Sequence, residues 1–441
     1  MKVKKIKTIK YLYILLIFFE LFILFFKFCN NVNAKENDSC NYNLNAKAGY
    51  VIDINNSQVL FSKNSNKSLP IASITKLLTI YVVLNQINKR KISLNQKVSP
   101  TKFLSNLSSN NQIANVPLKM HYLYTLNELY QASLVHSANA AVMLLAQSVF
   151  GSQKKAVFMM RKQLKLWNIK NATIYNTCGL NNRYLDNHFY PGSPINGENK
   201  MSAKDIAIIS FHLIHKFPKI FNTSKLSFLK FPNGNGGYLK ENTWNLMLPS
   251  HQYYDKNLNV NGLKTGTSND AGDCFVCTTK LKNGNILLSV VLHANGNNNL
   301  GKRFIVTKQL LSYILSNWHE NNVIVANKKN NVIKKVTINN GKKKIINVVP
   351  KQNINVFIFK NQYYNLRFKQ QKFDYLNAPI SKGESVGTIG IIPNNNIDFL
   401  FKNMSPKVEL ISTENDAKIN WLSSLIMKIR HLFKDVLILY R

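Results

Sequence analysis

Ser73 and Lys76 stand three residues apart at the start of PIASITKLLTIYVVL (70–84), a run that is otherwise almost wholly apolar. A hydroxyl and an amine at this spacing make a nucleophile and a base. Pro70 stops the chain ahead of a helix, so Ser73 is expected in its first turn. There the positive end of the helix dipole favours an alkoxide-like oxygen. Residues three apart share a helix face, so Lys76 reaches the Ser73 oxygen. Flanked by Leu77, Leu78, Ile80 and Val82, the lysine is expected to be desolvated, which lowers its pKa toward that of a neutral base. The spacing alone decides little, because S-x-x-K recurs at Ser99/Lys102, Ser152/Lys155 and Ser227/Lys230. The apolar setting separates the first copy from the others. Without a chemical role, Lys76 would be a surface lysine extending its stem out of a core helix.

Two further stretches carry compatible groups. Ser137-Ala138-Asn139 lies between two expected helices, a loop position suited to presenting a hydroxyl and an amide to a cleft; S-x-N also occurs at Ser62/Asn64 and Ser109/Asn111. Lys264-Thr265-Gly266 is the only K-T-G in the chain, and Thr267-Ser268 extend it. On a strand edge it would offer backbone N–H groups to a substrate laid alongside, with Lys264 as a cation for a carboxylate. Gly266 would let that substrate approach closely. Three elements in order, separated by 64 and 127 residues, are far more specific than any one. The chemistry calls for no cofactor and no metal. Cys274 and Cys277 form C-x-x-C, but they sit in the strand-like GDCFVCTTKL with no second Cys or His pair to complete a zinc set, so they read as ordinary buried thiols.

The elements that must position these groups follow from hydrophobic periodicity. GYVIDINNSQVLFSKN alternates around Asn55-Asn56-Ser57 as a hairpin. After the Ser73 helix, Thr125 and Glu128 form a capping-box pattern opening a helix to about Leu134. Helical spacing recurs in AAVMLLAQSVF, in 154–166, in 201–217 and in 301–318. Residues 259–268, 273–281 and 286–294 read as strands, the last two joined by a tight turn at Lys282–Asn285. The fold class is thus α/β in the α+β sense: an antiparallel sheet flanked by helices, plus a helical subdomain. Beyond about residue 322 short β-like runs separated by Asn, Lys and Gly indicate a small all-β domain, 323–412.

The chain has 441 residues, 45% of them apolar, and a formal charge of +38. That length supports two or three domains and a sizeable core. So strong a basic balance suits an anionic neighbour. MKVKKIKTIK followed by an apolar run and Val32-Asn33-Ala34 reads as an export signal over 1–34, cleaved after Ala34. It holds six lysines and one glutamate, which leaves +33 on the remainder. Export makes an anionic envelope the expected neighbour and nucleic acid an unexpected one. In 417–441, Ile419, Leu422, Ile426, Ile429, Phe433 and Val436 recur at helical spacing among Lys418, Lys428, Arg430 and Lys434. This reads as a basic amphipathic helix lying on an anionic membrane surface. The expected location is the outer face of the cytoplasmic membrane, with peripheral anchoring.

The set SITK, SAN and KTG resembles the signature of penicillin-recognising serine enzymes. PIASITKLLT, SANAA and NGLKTGTSNDAG look like the low-molecular-weight penicillin-binding proteins, the D-alanyl-D-alanine carboxypeptidases. The resemblance covers residues 45–320 strongly, and APISKGESVGTIG (378–390) is similar to that family's closing β segment. It implies a β-lactamase/transpeptidase-like catalytic domain over 35–320 that acts on peptidoglycan stem peptides and is inhibited by β-lactams. By the same resemblance, Ser73 is the nucleophile that becomes the acyl ester, Lys76 the general base and Ser137 a proton relay. Asn139, Lys264 and Thr265 bind substrate, and the N–H groups of Ser73 and Thr267 hold the oxyanion. The family commonly has a bulkier residue and then Thr after K-T-G, where this chain has Thr267-Ser268; substrate fit is what that departure affects. A class A β-lactamase needs an E-x-x-x-N loop; of the two glutamates between Asn139 and Lys264, Glu198 has Ser202 four positions on and only Glu241 meets the spacing, with Asn245, while the extra β domain and the terminal anchor fit that class poorly. Two readings without turnover compete with the enzymatic one: a non-catalytic β-lactam sensor, in which acylation is a signal, and an envelope-binding protein.

Overall fold

The structure, a computed structural model, describes residues 42–294, 301–360, 366–394 and 396–420. The expected signal at 1–34 lies outside the described residues, as do 421–441 of the expected terminal helix. Residues 417–420 are not helical. Ile419 N–H donates to the Asn340 carbonyl at 2.8 Å, and the Ala417 carbonyl accepts from Lys342 N–H at 2.9 Å. Backbone pairing with 340–342 holds this segment extended, so any helix starts after Asn420.

One antiparallel sheet forms the frame. Strand β1 (Ala46–Asp53) turns through Asn55–Ser57 into β2 (Val59–Lys63), as the alternating pattern implies. Strands β3 (Val260–Ser268), β4 (Gly272–Lys280) and β5 (Ile286–Ala294) form a meander, and the sheet order is β2-β1-β5-β4-β3. The sheet's first strand in sequence, β1, therefore lies beside its last, β5, which is central, and β3, which carries K-T-G, is an edge. Both faces are covered. Leu288, Val290 and Leu292 of β5 join one apolar cluster, while Leu287 and Val291 join another on the opposite face. That two-sided burial is why β4 reads as a nearly continuous apolar run.

Helix α1 (Thr75–Arg90) packs in the first cluster together with α2 (Leu126–Val135), α3 (Asn139–Phe150), α4 (Gln153–Leu166) and α5 (Ala203–Lys216). The expected capping box opens α2: Thr125 Oγ1 accepts from Glu128 N–H at 3.1 Å, and Thr125 N–H donates to the Glu128 carboxylate at 2.7 Å. Helix α3 is buried almost all round, as expected of a helix enclosed by others. On the other face lies α6 (Lys302–Asn317). It ends one residue earlier than its periodicity suggests, because Trp318 already begins a strand.

That strand, β6 (Trp318–Ile324), pairs with β8 (Ile354–Phe359), while β7 (Val348–Pro350), β9 (Arg367–Lys372), β10 (Ser385–Ile392) and β11 (Lys407–Ser412) form a sheet ordered β7-β11-β10-β9. This part has its own core, including Ile324, Val356, Val386, Ile389 and Leu410. The β1–β2 turn joins it to the main sheet. Gln58, fully buried, donates to the Phe357 carbonyl at 2.6 Å and accepts from Phe357 N–H at 2.8 Å. Val59 N–H donates to the Asp398 carbonyl, and Leu400 N–H to that of Ser57.

Candidate active site

Ser73 stands in a short 3-10 turn, Ala72–Ile74, that runs directly into α1. The α-helix proper therefore starts two residues later than Ser73. Leu69-Pro70 pairs with Lys200-Met201, and Ala72 takes φ +44°, a conformation incompatible with an earlier helix start. Lys76 lies in the first turn of α1 and is fully buried. Its Nζ is 2.7 Å from Ser73 Oγ, 2.7 Å from Asn139 Oδ1 and 2.8 Å from the Cys178 carbonyl oxygen. Burial lowers the Lys76 pKa from its ordinary 10.5 to about 8.

Asn139 is the first residue of α3, and its amide is held at both ends: Oδ1 by Lys76, and Nδ2–H by the Ala114 carbonyl at 2.8 Å. One further N–H of that amide is left for a substrate. Ser137 precedes it with φ +62° and is buried. The left-handed residue breaks α2 from α3 and puts Ser137 and Asn139 in one sharp loop.

Lys264 is buried on β3, with Nζ donating to the Thr265 carbonyl at 3.0 Å. Burial holds its pKa well below the usual lysine value, helped by the charges of Lys76 and Arg303. The ammonium that the motif alone suggests is therefore harder to keep here than on an exposed lysine. Gly266 also differs from expectation. A Cβ there would stand 2.7 Å from the Ile71 carbonyl oxygen and about 3 Å from Ile74. The glycine lets β3 lie against the turn that carries Ser73; it is protein backbone, rather than substrate, that approaches it.

Several contributors carry no sequence signature of their own. The Cys178 carbonyl is aimed by Asn176, whose Oδ1 accepts from the N–H groups of Cys178 (3.2 Å) and Gly179 (2.7 Å). Gly179, at φ +86°, would place a Cβ 2.0 Å from the Ala72 carbonyl oxygen, so only glycine fits behind the Ser73 turn. From α6, buried Arg303 donates to the carbonyls of Gly266 (2.9 Å) and Cys274 (3.2 Å) and to Thr267 Oγ1 (2.6 Å), and it pairs with Asp273. It fixes the end of β3 just beyond K-T-G. Ser268 Oγ donates to the buried Glu198 carboxylate at 2.7 Å. Cys274 and Cys277 are fully buried free thiols, their pKa values raised by burial.

The turn, the loop and the edge strand thus converge from three separate parts of the chain on one serine. Residues 31–296 match the family model described as D-alanyl-D-alanine carboxypeptidase, and residues 325–417 that of the penicillin-binding protein 5 C-terminal domain. The chain belongs to the D-alanyl-D-alanine carboxypeptidase family. It is accordingly a serine carboxypeptidase of the penicillin-binding class. It is 26% identical over 349 residues to the D-alanyl-D-alanine carboxypeptidase DacF of Bacillus subtilis, covering 78% of this chain and 80% of that protein. Its fold is similar to that of a peptidoglycan synthesis regulatory factor, penicillin-binding protein 3 of Streptococcus pneumoniae. The TM-score is 0.74 at 30% identity, over 85% of this chain and 100% of that one. A further solved relative is penicillin-binding protein D2 of Listeria monocytogenes in its cefotaxime-bound form, with TM-score 0.51 and 25% identity over 63% of this chain and 99% of that one.

Proposed function

We propose that this family member removes the terminal D-alanine from peptidoglycan stem pentapeptides through an acyl-enzyme on Ser73, and that β-lactams acylate the same oxygen. One observation carries the assignment of roles. Two of the three Lys76 contacts, Asn139 Oδ1 and the Cys178 carbonyl, are acceptors only. A neutral amine donates its two hydrogens there and turns its lone pair to the Ser73 hydroxyl. Lys76 takes the Ser73 proton as Oγ attacks the carbonyl between the two D-alanines. The N–H groups of Ser73 and Thr267 hold the oxyanion, as Arg303 steadies β3 behind Thr267. The C–N bond breaks as Ser137 relays a proton to the leaving amine, and water then cleaves the ester. Lys264 and Thr265 receive the substrate carboxylate, whose charge draws Lys264 into its ammonium form. Asn139 holds the substrate peptide with its spare N–H.

A lactamase reading lacks support: Glu241 lies beside His136 and Glu198 is bonded to Ser268. Incubation with a D-Ala-D-Ala stem peptide and with labelled penicillin tests the proposal. Free D-alanine should appear with wild type and vanish in Ser73→Ala. Rapid penicillin hydrolysis without D-alanine release would favour a lactamase, and a stable adduct without turnover a sensor.

The proposal extends to location, where the basic balance and the two terminal patterns support export and peripheral anchoring on the membrane's outer face. The signal occupies 1–34, the catalytic part 35–320 and the small β domain 323–412. Deleting residues 421–441 should release activity from membranes; persistent association would refute the anchor.

A further inference from the structure

The polarity of a bound substrate follows from the roles above, on which this inference rests. Its carboxylate lies at Lys264–Thr265 and its scissile carbonyl at Thr267. The acyl portion, leading to the rest of the stem peptide, must then run on past Ser268 at the free edge of β3. The side chain that meets that path is Glu198. The segment 198–200 runs beside the approach to the nucleophile: the Asn199 carbonyl accepts from Ile71 N–H at 3.1 Å, and Lys200 pairs with Pro70.

Glu198 is 5% exposed. Its hydrogen-bond partner is a neutral hydroxyl, and the direction of that bond is determined. Ser268 Oγ accepts from Ala271 N–H at 2.9 Å, so the hydroxyl proton goes to Glu198 Oε2 at 2.7 Å. Among the described residues Glu198 makes no ion pair, although the surroundings are rich in cations. The nearest end of β3 has Arg303, which is committed to Asp273. A buried carboxylate is expected to have a cationic partner, and here none of the described residues supplies one. The substrate class has one to offer, because the residue preceding D-Ala-D-Ala in a stem peptide is a diamino acid with a side-chain amine.

We propose that Glu198 is a specificity-determining residue that receives the free side-chain amine of the stem peptide's diamino acid, with Ser268 holding its carboxylate in place. An ammonium reaching the other carboxylate oxygen makes a charge-assisted bond in a largely desolvated site. The enzyme should thus discriminate between peptides that carry this charge and those in which it is masked.

The test compares D-alanine release from two peptides, one ending in L-Lys-D-Ala-D-Ala with a free ε-amine and its Nε-acetyl counterpart, using the full chain. Wild type should favour the free amine by about tenfold in kcat/KM, about what one charge-assisted contact contributes. Glu198→Gln should abolish that preference while leaving turnover of the acetylated peptide near the wild-type value. Glu198→Asp should restore part of it. Acylation by benzylpenicillin, which carries no such amine, should stay unchanged in Glu198→Gln. Equal rates for the two wild-type peptides, or a preference that survives Glu198→Gln, would overturn the assignment. Loss of penicillin acylation and of both peptide activities together would show Glu198 to be merely structural, which also overturns it. Absence of D-alanine release from either peptide by wild type, with penicillin still bound, would instead refute the carboxypeptidase reading on which the proposal rests.

Discussion

If Lys76 acts as a base in its neutral form, acylation of Ser73 must follow the population of that form. At an ordinary pKa of 10.5, about 0.03% of a lysine is neutral at pH 7. At about 8, the value burial imposes on Lys76, roughly 10% is neutral, a gain of about 300-fold in reactive population. The folded-state pKa is lowered, so activity is absent at low pH and gained as pH rises through about 8. The first-order acylation rate at saturating labelled penicillin should therefore climb about tenfold per pH unit from pH 5.5 and level off above about 8. The penicillin carboxylate is ionised throughout this range. Lys264 acts differently. It must be an ammonium to hold that carboxylate, and its pKa too is depressed. Apparent affinity should consequently weaken at high pH while the saturated rate does not. Stopped-flow acylation at fixed ionic strength, read as rate and affinity separately, distinguishes the two amines. A saturated rate that is flat from pH 6 to 9 would refute the role given to Lys76, and so would one still climbing past pH 10. Lys76→Arg keeps the charge and removes the base, and should lower the rate by at least about a thousandfold.

Three other perturbations address the scaffold. Gly266→Ala forces a Cβ against the Ile71 carbonyl, and should lower acylation at least about tenfold and stability by about 1–3 kcal/mol, read from penicillin kinetics and thermal melts. Arg303→Met strands the buried Asp273 carboxylate; about 3–5 kcal/mol of stability should be lost, and Asp273→Asn added to it should recover part, measured by denaturant unfolding. Gln58→Ala removes both bonds to Phe357, at a cost of about 2 kcal/mol, and should speed proteolysis between the sheet and the C-terminal β domain.

How legible each of these parts was in the sequence depended on whether its chemistry sits in side chains or in backbone. Ser73 and Lys76 could be picked out because reactive types share a helix face in an apolar run, and Ser137, Asn139 and Lys264 because S-x-N in an inter-helix loop and the one K-T-G on a strand follow them in order. The sheet's strands and the helices around it were readable for a related reason, since alternation and 3.6-residue periods report which face is buried. The Cys178 carbonyl was not, because every residue carries one; only Asn176 and Gly179 on either side hinted at a fixed loop. Arg303 was hidden by distance along the chain, some forty residues from Lys264. Gly266 was legible as a close approach but not as an approach of what: pattern cannot tell a neighbouring turn from a ligand. Strand order was likewise out of reach, as nothing local says that β1 ends beside β5.

The concentration of cations around β3 has a consequence that the individual residues do not show. Lys76, Lys264 and Arg303 are all buried, and each positive charge makes the next harder to keep. Burial is the largest influence on both lysines, and for Lys264 the charges of Lys76 and Arg303 add to it. The guanidinium, anchored by Asp273, keeps its proton, while both lysines hold theirs less tightly than exposed lysines do. An empty site thus holds about a tenth of Lys76 as the free base at pH 7. When an anionic substrate enters at Lys264, the local balance reverses there first, because that ammonium gains a direct partner, whereas Lys76 remains enclosed by Asn139 and the Cys178 carbonyl. Substrate charge protonates the residue that binds it and spares the one that must accept the Ser73 proton. An uncharged C-terminal amide should accordingly lose more than one ion pair: it also leaves Lys264 without the partner that stabilises its ammonium.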